Sequence, residues 1–151
     1  MPEARLAIRD LVLAIIAAVL WLNAGDSTLL QWAAGIGLGV VAYVAHEWSH
    51  WLGAKLSGAQ VKIAQRLATP FLFSFDADAN TRGQFLWMSI GGFIATAIFV
   101  VAFWLGLPDT LQGEVAMGAV LVLASITLFI EVPIALWVST GRPIPKLIEL
   151  F

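Results

Sequence analysis

The stretch Val41-Ala42-Tyr43-Val44-Ala45-His46-Glu47-Trp48-Ser49-His50-Trp51-Leu52 sets the pattern H-E-x-x-H inside an otherwise apolar helical run. Four residues of α-helix turn through about 400°, so His46 and His50 stand one above the other on one face. Two imidazoles stacked this way can share one metal ion at about 2.0–2.1 Å each. Glu47 lies about 100° round from His46 and about 60° from His50. From there it reaches a water on the ion more readily than the ion itself, which is the position of a general base. His46 and His50 are also the only histidines in the chain.

The surroundings of this stretch fix the fold class. Of 151 residues, 60% are hydrophobic and only 12% charged, against roughly 25% charged in a soluble domain. Mean hydropathy is +0.90. These values predict an all-α integral membrane protein, a single polytopic domain over 1–151 sitting in a lipid bilayer. The absence of cysteine removes disulfides and thiolate ligands. A net charge of −2 without a basic cluster excludes nucleic acid as a partner.

Working outward, four transmembrane helices are expected, at about 6–24, 28–57, 84–107 and 114–138. Residues 1–10 read as a short polar lead. Leu11 to Leu22 is an unbroken apolar run that also resembles a signal-peptide core, but Leu22-Asn23-Ala24 is a poor cleavage site, so an uncleaved helix is expected. Asp26 or Ser27 can cap the second helix, and Asp109 or Thr110 the fourth. Gly35-Ile36-Gly37-Leu38-Gly39 and Gly53-Ala54 read as packing glycines and small residues that let a neighbouring helix approach. Gly91-Gly92 and Ala95-Thr96 give the third helix a small face. Pro133 should kink the fourth helix beside Glu131.

Between the second and third helices, Val61-Lys62-Ile63-Ala64 and Phe71-Leu72-Phe73-Ser74-Phe75-Asp76 alternate around Pro70. They predict two short strands in a cytoplasmic or re-entrant loop. Charge gives the orientation. Arg5, Arg9, Lys55, Lys62, Arg66, Arg82, Arg142 and Lys146 all fall toward the N-terminus, at the end of the second helix, in this loop or in the tail, and none in the 23–28 or 108–114 turns. Both termini and the site are therefore expected on the cytoplasmic side, in a prokaryotic plasma membrane.

Of the carboxylates, Glu47 and Glu131 are the two expected well inside spans, where an ionisable group costs several kcal/mol (about 3 on insertion scales) and usually marks function. Counted from Lys55 and Arg142, His50 and Glu131 lie within about 10 Å of each other in depth. Glu131 is accordingly the expected third ligand, completing a His₂Glu set with water. Asp76 and Asp78 on the loop are its rivals. Tyr43, Ser49 and Thr127 are near enough to orient the ligands, although packing and bonding back to the helix are their commoner roles.

The motif His46-Glu47-x-x-His50, the run Gly53-Ala54-x-x-Ser57-Gly58, the strand-bearing loop and the Gly-Gly helix together resemble the site-2 protease family of intramembrane zinc metalloproteases, over roughly residues 35–135. The resemblance implies that His46 and His50 bind Zn²⁺, one per chain, and that Glu47 activates water. It also implies that a transmembrane protein substrate is cleaved while the strand-bearing loop, with Phe71, Phe73 and Phe75, holds it extended. Glu131 stands where the family carries an aspartate, in Glu131-Val132-Pro133 rather than aspartate-glycine. Gly92-Phe93-x-x-Thr96 replaces the family's Gly-Pro-x-x-Asn. A membrane scaffold that binds helices without cutting them is the alternative, and a proton-relay or transport role for Glu47 and Glu131 ranks below both. Two histidines on one helix cannot clasp opposite faces of a haem.

Overall fold

The structure, a computed structural model, describes residues 2–145. In chain order it comprises α1 (Pro2–Asn23), α2 (Thr28–Leu56), β1 (Val61–Ile63), β2 (Phe73–Phe75), α3 (Arg82–Gly106), α4 (Leu111–Ile126), a π turn (Thr127–Glu131) and α5 (Val132–Ser139). The last three run on as one rod, so four helices are long and apolar enough to cross a membrane, with 22, 29, 25 and 29 residues.

The helix starts follow local chemistry. Ser27 rather than Asp26 caps α2, accepting from the Leu30 N–H. Thr110 rather than Asp109 caps α4, accepting from Gly113, so this helix begins ahead of the expected Glu114. Thr81 and Gln84 form a reciprocal capping box at the start of α3. The polar lead is itself helical, since Pro2 suits a first turn. That corrects the expected start of α1 and carries Asp10 into the packed interior, where it is only 7% exposed.

Helix α2 is the centre against which the other helices lie. Its glycines set the approach distances: Gly35 lies against Val115 and the Gln112 carbonyl, Gly39 against Ala119 of α4, and Gly37 against Ala17 of α1. Gly53 meets the Trp87 carbonyl of α3, and Gly91 of α3 meets the Ser49 carbonyl in return. The glycines expected to serve packing do so within this one chain. The interior is correspondingly small or polar, with Ala34, Ala42, Ala54, Ala116, Ser89, Thr96 and Thr127 buried. Large apolar side chains such as Leu22, Trp104, Leu105 and Phe129 point outward, more than 70% exposed. The helices thus meet through small residues while much of their outer surface is apolar.

The two strands pair antiparallel, with Val61 opposite Phe75, Lys62 opposite Ser74 and Ile63 opposite Phe73. Asn80 clips the open end of the hairpin. Its Nδ2 donates to the Gln60 and Asp76 carbonyls at 2.7 and 2.8 Å, and its Oδ1 accepts from the Gln60 N–H at 2.6 Å. Phe75 turns inward onto Ala54, Phe85, Met88 and Val138, and its ring meets Phe85 edge-on at 5.7 Å. Arg9 reaches the hairpin loop, and Arg82 comes up against Gly141. The described N-terminal cations, the loop and the end of α5 therefore share one end of the bundle. Lys146 and the rest of the tail lie outside the described residues.

A side chain at Gly53 or Gly91 would overlap a backbone carbonyl, which cannot give way as a flexible side chain can. Gly53→Leu and Gly91→Leu are expected to destabilise the protein by about 1–3 kcal/mol or more, read as a lowered unfolding midpoint in detergent. Gly118, which faces open space, is the control. Gly118→Ala is expected to be neutral or to stabilise by about 0.5–1 kcal/mol, as for a helix-interior glycine.

Candidate metal centre

His46 and His50 project from α2 toward α3 and the π turn. Each ring is fixed by its Nδ1. His46 Nδ1 lies 3.1 Å from the Gly92 carbonyl and 2.8 Å from Thr96 Oγ1. His50 Nδ1 lies 2.9 Å from the Met88 carbonyl. A carbonyl oxygen only accepts, so both Nδ1 atoms carry hydrogen and, in the neutral rings, both Nε2 atoms present bare lone pairs. Those Nε2 atoms face each other at 3.0 Å. The rings meet edge-on with centroids 4.4 Å apart. Gly92 makes this possible, because a Cβ there would overlap the His50 ring.

Glu131 closes the cluster from the π turn. Its Oε1 is 3.3 Å from His46 Nε2, and its Oε2 is 3.6 Å from His50 Nε2. Oε2 is buried and has no hydrogen-bond donor among the described residues. His46, His50 and Glu131 thus bring their ligand atoms within 4.8 Å of one another, a group that could hold one metal ion. Glu131 meets the two imidazoles through different oxygens, Oε1 toward His46 and Oε2 toward His50, so its carboxylate spans the gap that their Nε2 atoms face. At most one proton fits between the two Nε2 atoms, so a cation is the other way to reconcile three converging acceptors.

The aim of Glu131 comes from the π turn. Pro133 has no N–H to give to the carbonyl four residues back. The chain widens there, and the Val132 N–H reaches the Thr127 carbonyl, five residues back. The expected disturbance beside Glu131 is therefore this π turn. Thr127 and Glu131 face the same way from it. Thr127 Oγ1 is 3.4 Å from Thr96 Oγ1, so a hydroxyl pair links the turn carrying one ligand to the Nδ1 of another.

The remaining expected residues are placed as follows. Glu47 stays out of the three-residue group, and its Oε2 accepts the Leu72 N–H at 3.2 Å. Asp76 and Asp78 do not join the group either. Asp76 is a loop carboxylate that accepts from the Ala79 N–H at 3.1 Å, a bond that holds it below the usual carboxylate range, and it faces Lys62 Nζ at 3.4 Å. Ser49 bonds back to the Ala45 carbonyl at 2.8 Å, a helix role. Tyr43 donates to the Pro70 carbonyl at 2.9 Å and so holds the loop rather than a ligand. Phe71 and Phe73 are half-buried, but Phe75 is fully buried in the core and presents no surface to a substrate. Its place is decided by the apolar floor that Phe85 and Met88 provide.

Two residues do more than the sequence indicates. Thr96, expected on a small packing face and in place of the asparagine of the resembled family's Gly-Pro-x-x-Asn, touches His46. Asp10, expected in a polar lead, accepts from Trp48 Nε1 at 2.8 Å and from Arg9 Nε at 2.6 Å. Thr96 at four residues from Gly92 was the available signal, since that spacing stacks a hydroxyl over a site glycine.

Thr96→Val keeps the shape of the residue but removes the hydroxyl. It is expected to weaken divalent-metal binding about tenfold, the low end for lost support of a ligand histidine, because the Gly92 carbonyl still holds Nδ1. Chelator competition with Co²⁺ as the probe measures this. Compared with protein-family models, curated proteins and solved structures, the chain matches none of them.

Proposed function

We propose that the protein lies in a membrane and is a zinc metalloprotease that cleaves a peptide bond in or near the transmembrane segment of another membrane protein. The observation that carries this reading is the convergence of His46, His50 and Glu131, whose ligand atoms lie within 4.8 Å of one another, with Glu47 one position along the same helix and all of them on helices long and apolar enough to cross a bilayer. A His₂Glu set leaves one position for water. Two imidazoles and one carboxylate are among the ligand sets that catalytic zinc uses.

Bound at these residues, zinc would supply Lewis acidity, lowering the pKa of its water to about 7 and polarising a carbonyl. The protein's own groups do the rest. Gly92 and Met88 carbonyls and the Thr96 hydroxyl hold both rings in the tautomer that offers Nε2. Glu47 accepts the proton from the attacking water and returns it to the leaving amine. A substrate helix hides its carbonyls in its own hydrogen bonds and must unwind locally to be cut. The two-stranded sheet has outer edges on which an extended segment can add, with Phe71 and Phe73 nearby. Clustering of cations at the loop end favours an orientation with the site toward the cytoplasmic side.

The test uses the full chain purified in detergent. One zinc per chain is expected by elemental analysis, and loss of it on chelation should abolish cleavage of a transmembrane peptide. Glu47→Gln is expected to keep the zinc and lower cleavage by about 10²–10⁴-fold, the usual contribution of general-base catalysis. Glu131→Gln and His50→Ala should lose zinc and activity together. An active Glu47→Gln enzyme would overturn the mechanism. A protein without stoichiometric zinc would leave a helix-binding scaffold.

A further inference from the structure

Several backbone groups of the loop segment between β1 and β2 are held by side chains from α1 and α2. Arg9 Nη1 donates to the Leu67 and Thr69 carbonyls, both at 3.0 Å. Tyr43 donates to the Pro70 carbonyl at 2.9 Å. Glu47 Oε2 accepts from the Leu72 N–H at 3.2 Å, while the Leu72 carbonyl accepts from Ala64 at 3.0 Å as a continuation of the hairpin. The Leu72 side chain is only 1% exposed. Arg9 is itself braced, since Asp10 accepts from its Nε, and Asp10 is held in turn by Trp48, the residue after Glu47.

We propose that residues 66–72 form a strap closed over Glu47 and latched to the first helix by Arg9, which must lift before a substrate can reach that carboxylate. The inference rests on the reading of Glu47 as the working base, and it adds how access to that base is controlled. Three features support it. The Leu72 N–H bonds Glu47 Oε2 directly, which seats the segment against that carboxylate. The bonds at Leu67, Thr69 and Pro70 engage backbone carbonyls, so they hold a conformation of the segment whatever its side chains. The bonds also come from two helices, so displacement of α1 relative to α2 by an arriving substrate helix would break the Arg9 contacts first. The Asp10–Arg9–Trp48 arrangement then keeps Arg9 aimed for re-closure and explains a carboxylate buried where the proposed chemistry has no use for it.

The chain has no cysteine, so one can be introduced as a reporter. In Leu72→Cys, the thiol is expected to react slowly with a water-soluble maleimide. Adding Arg9→Gln should speed labelling about tenfold, the scale of losing a charged donor's hydrogen bonds to a locally opening segment. Adding Tyr43→Phe, which removes one hydroxyl and keeps the ring, should speed it about threefold. Helical circular dichroism and a monodisperse gel-filtration peak establish that each variant is folded. If Arg9→Gln is not, Tyr43→Phe decides alone. Equal rates in the folded variants overturn the strap. Labelling requires neither zinc nor cleavage, so the two proposals fail separately. Faster labelling without any zinc-dependent cleavage keeps the strap and removes the protease. Zinc-dependent cleavage with unchanged labelling does the reverse.

Discussion

Everything at the site depends on how closely the backbones of α2 and α3 approach. His50 can turn its Nε2 toward His46 only because residue 92 has no side chain, and the helices can close that far only because Gly53 and Gly91 admit the opposing carbonyls. The same closeness brings the Met88 and Gly92 carbonyls within reach of both Nδ1 atoms. Orientation of the imidazoles and contact between the helices are thus one event. A carbonyl in the middle of a helix normally serves only its own ladder. Here two of them also accept from side chains of another helix, which their second lone pair permits.

The third partner arrives by a different device. A regular helix through Leu111–Ser139 would have to reconcile Pro133 with an intact ladder. Widening the turn before it removes the conflict and directs Thr127 and Glu131 onto the same neighbours. A π turn inside an α-helix is rare and is found frequently where a site needs it. In this protein it delivers a carboxylate to two imidazoles deep in an apolar bundle, and the Thr96–Thr127 pair ties that delivery to the ring it serves.

Much of this was legible in the sequence, for a definite reason. Lipid-scale hydrophobic runs announce helices strongly, so four spans could be drawn with ends displaced by only a few residues, the displacements tracing to which of two adjacent residues acts as cap (Ser27, Thr110) and to a polar lead that coils. Charged residues stand out in such a background, so His46, His50 and Glu131 could be grouped before their distances were known. Alternation gave both strands. Thr96, Asn80 and Asp10 were less visible, because each works through a partner distant in the chain or through backbone groups, and a hydroxyl or amide carries no pattern of its own. Phe75 was misjudged for a related reason. Alternation tells which residues share a face, but not whether that face meets the core or a visitor.

Asp10 shows how far the pairing of buried polar groups extends. A buried carboxylate in an apolar helix needs a donor for each oxygen, and it has them: Arg9 on Oδ1 and Trp48 on Oδ2. Satisfying Asp10 commits Arg9 to one direction, and Arg9 spends its remaining reach on two loop carbonyls. A loop of this length has backbone groups that a two-stranded sheet cannot satisfy. Its carbonyls at Leu67, Thr69 and Pro70 and its N–H at Leu72 find partners on α1 and α2. The residue that receives that N–H is Glu47, the one acidic group on the helix of the two histidines. Satisfying the loop's backbone and engaging the carboxylate are therefore parts of one set of bonds, so the rule that polar backbone groups find partners brings the loop onto the site.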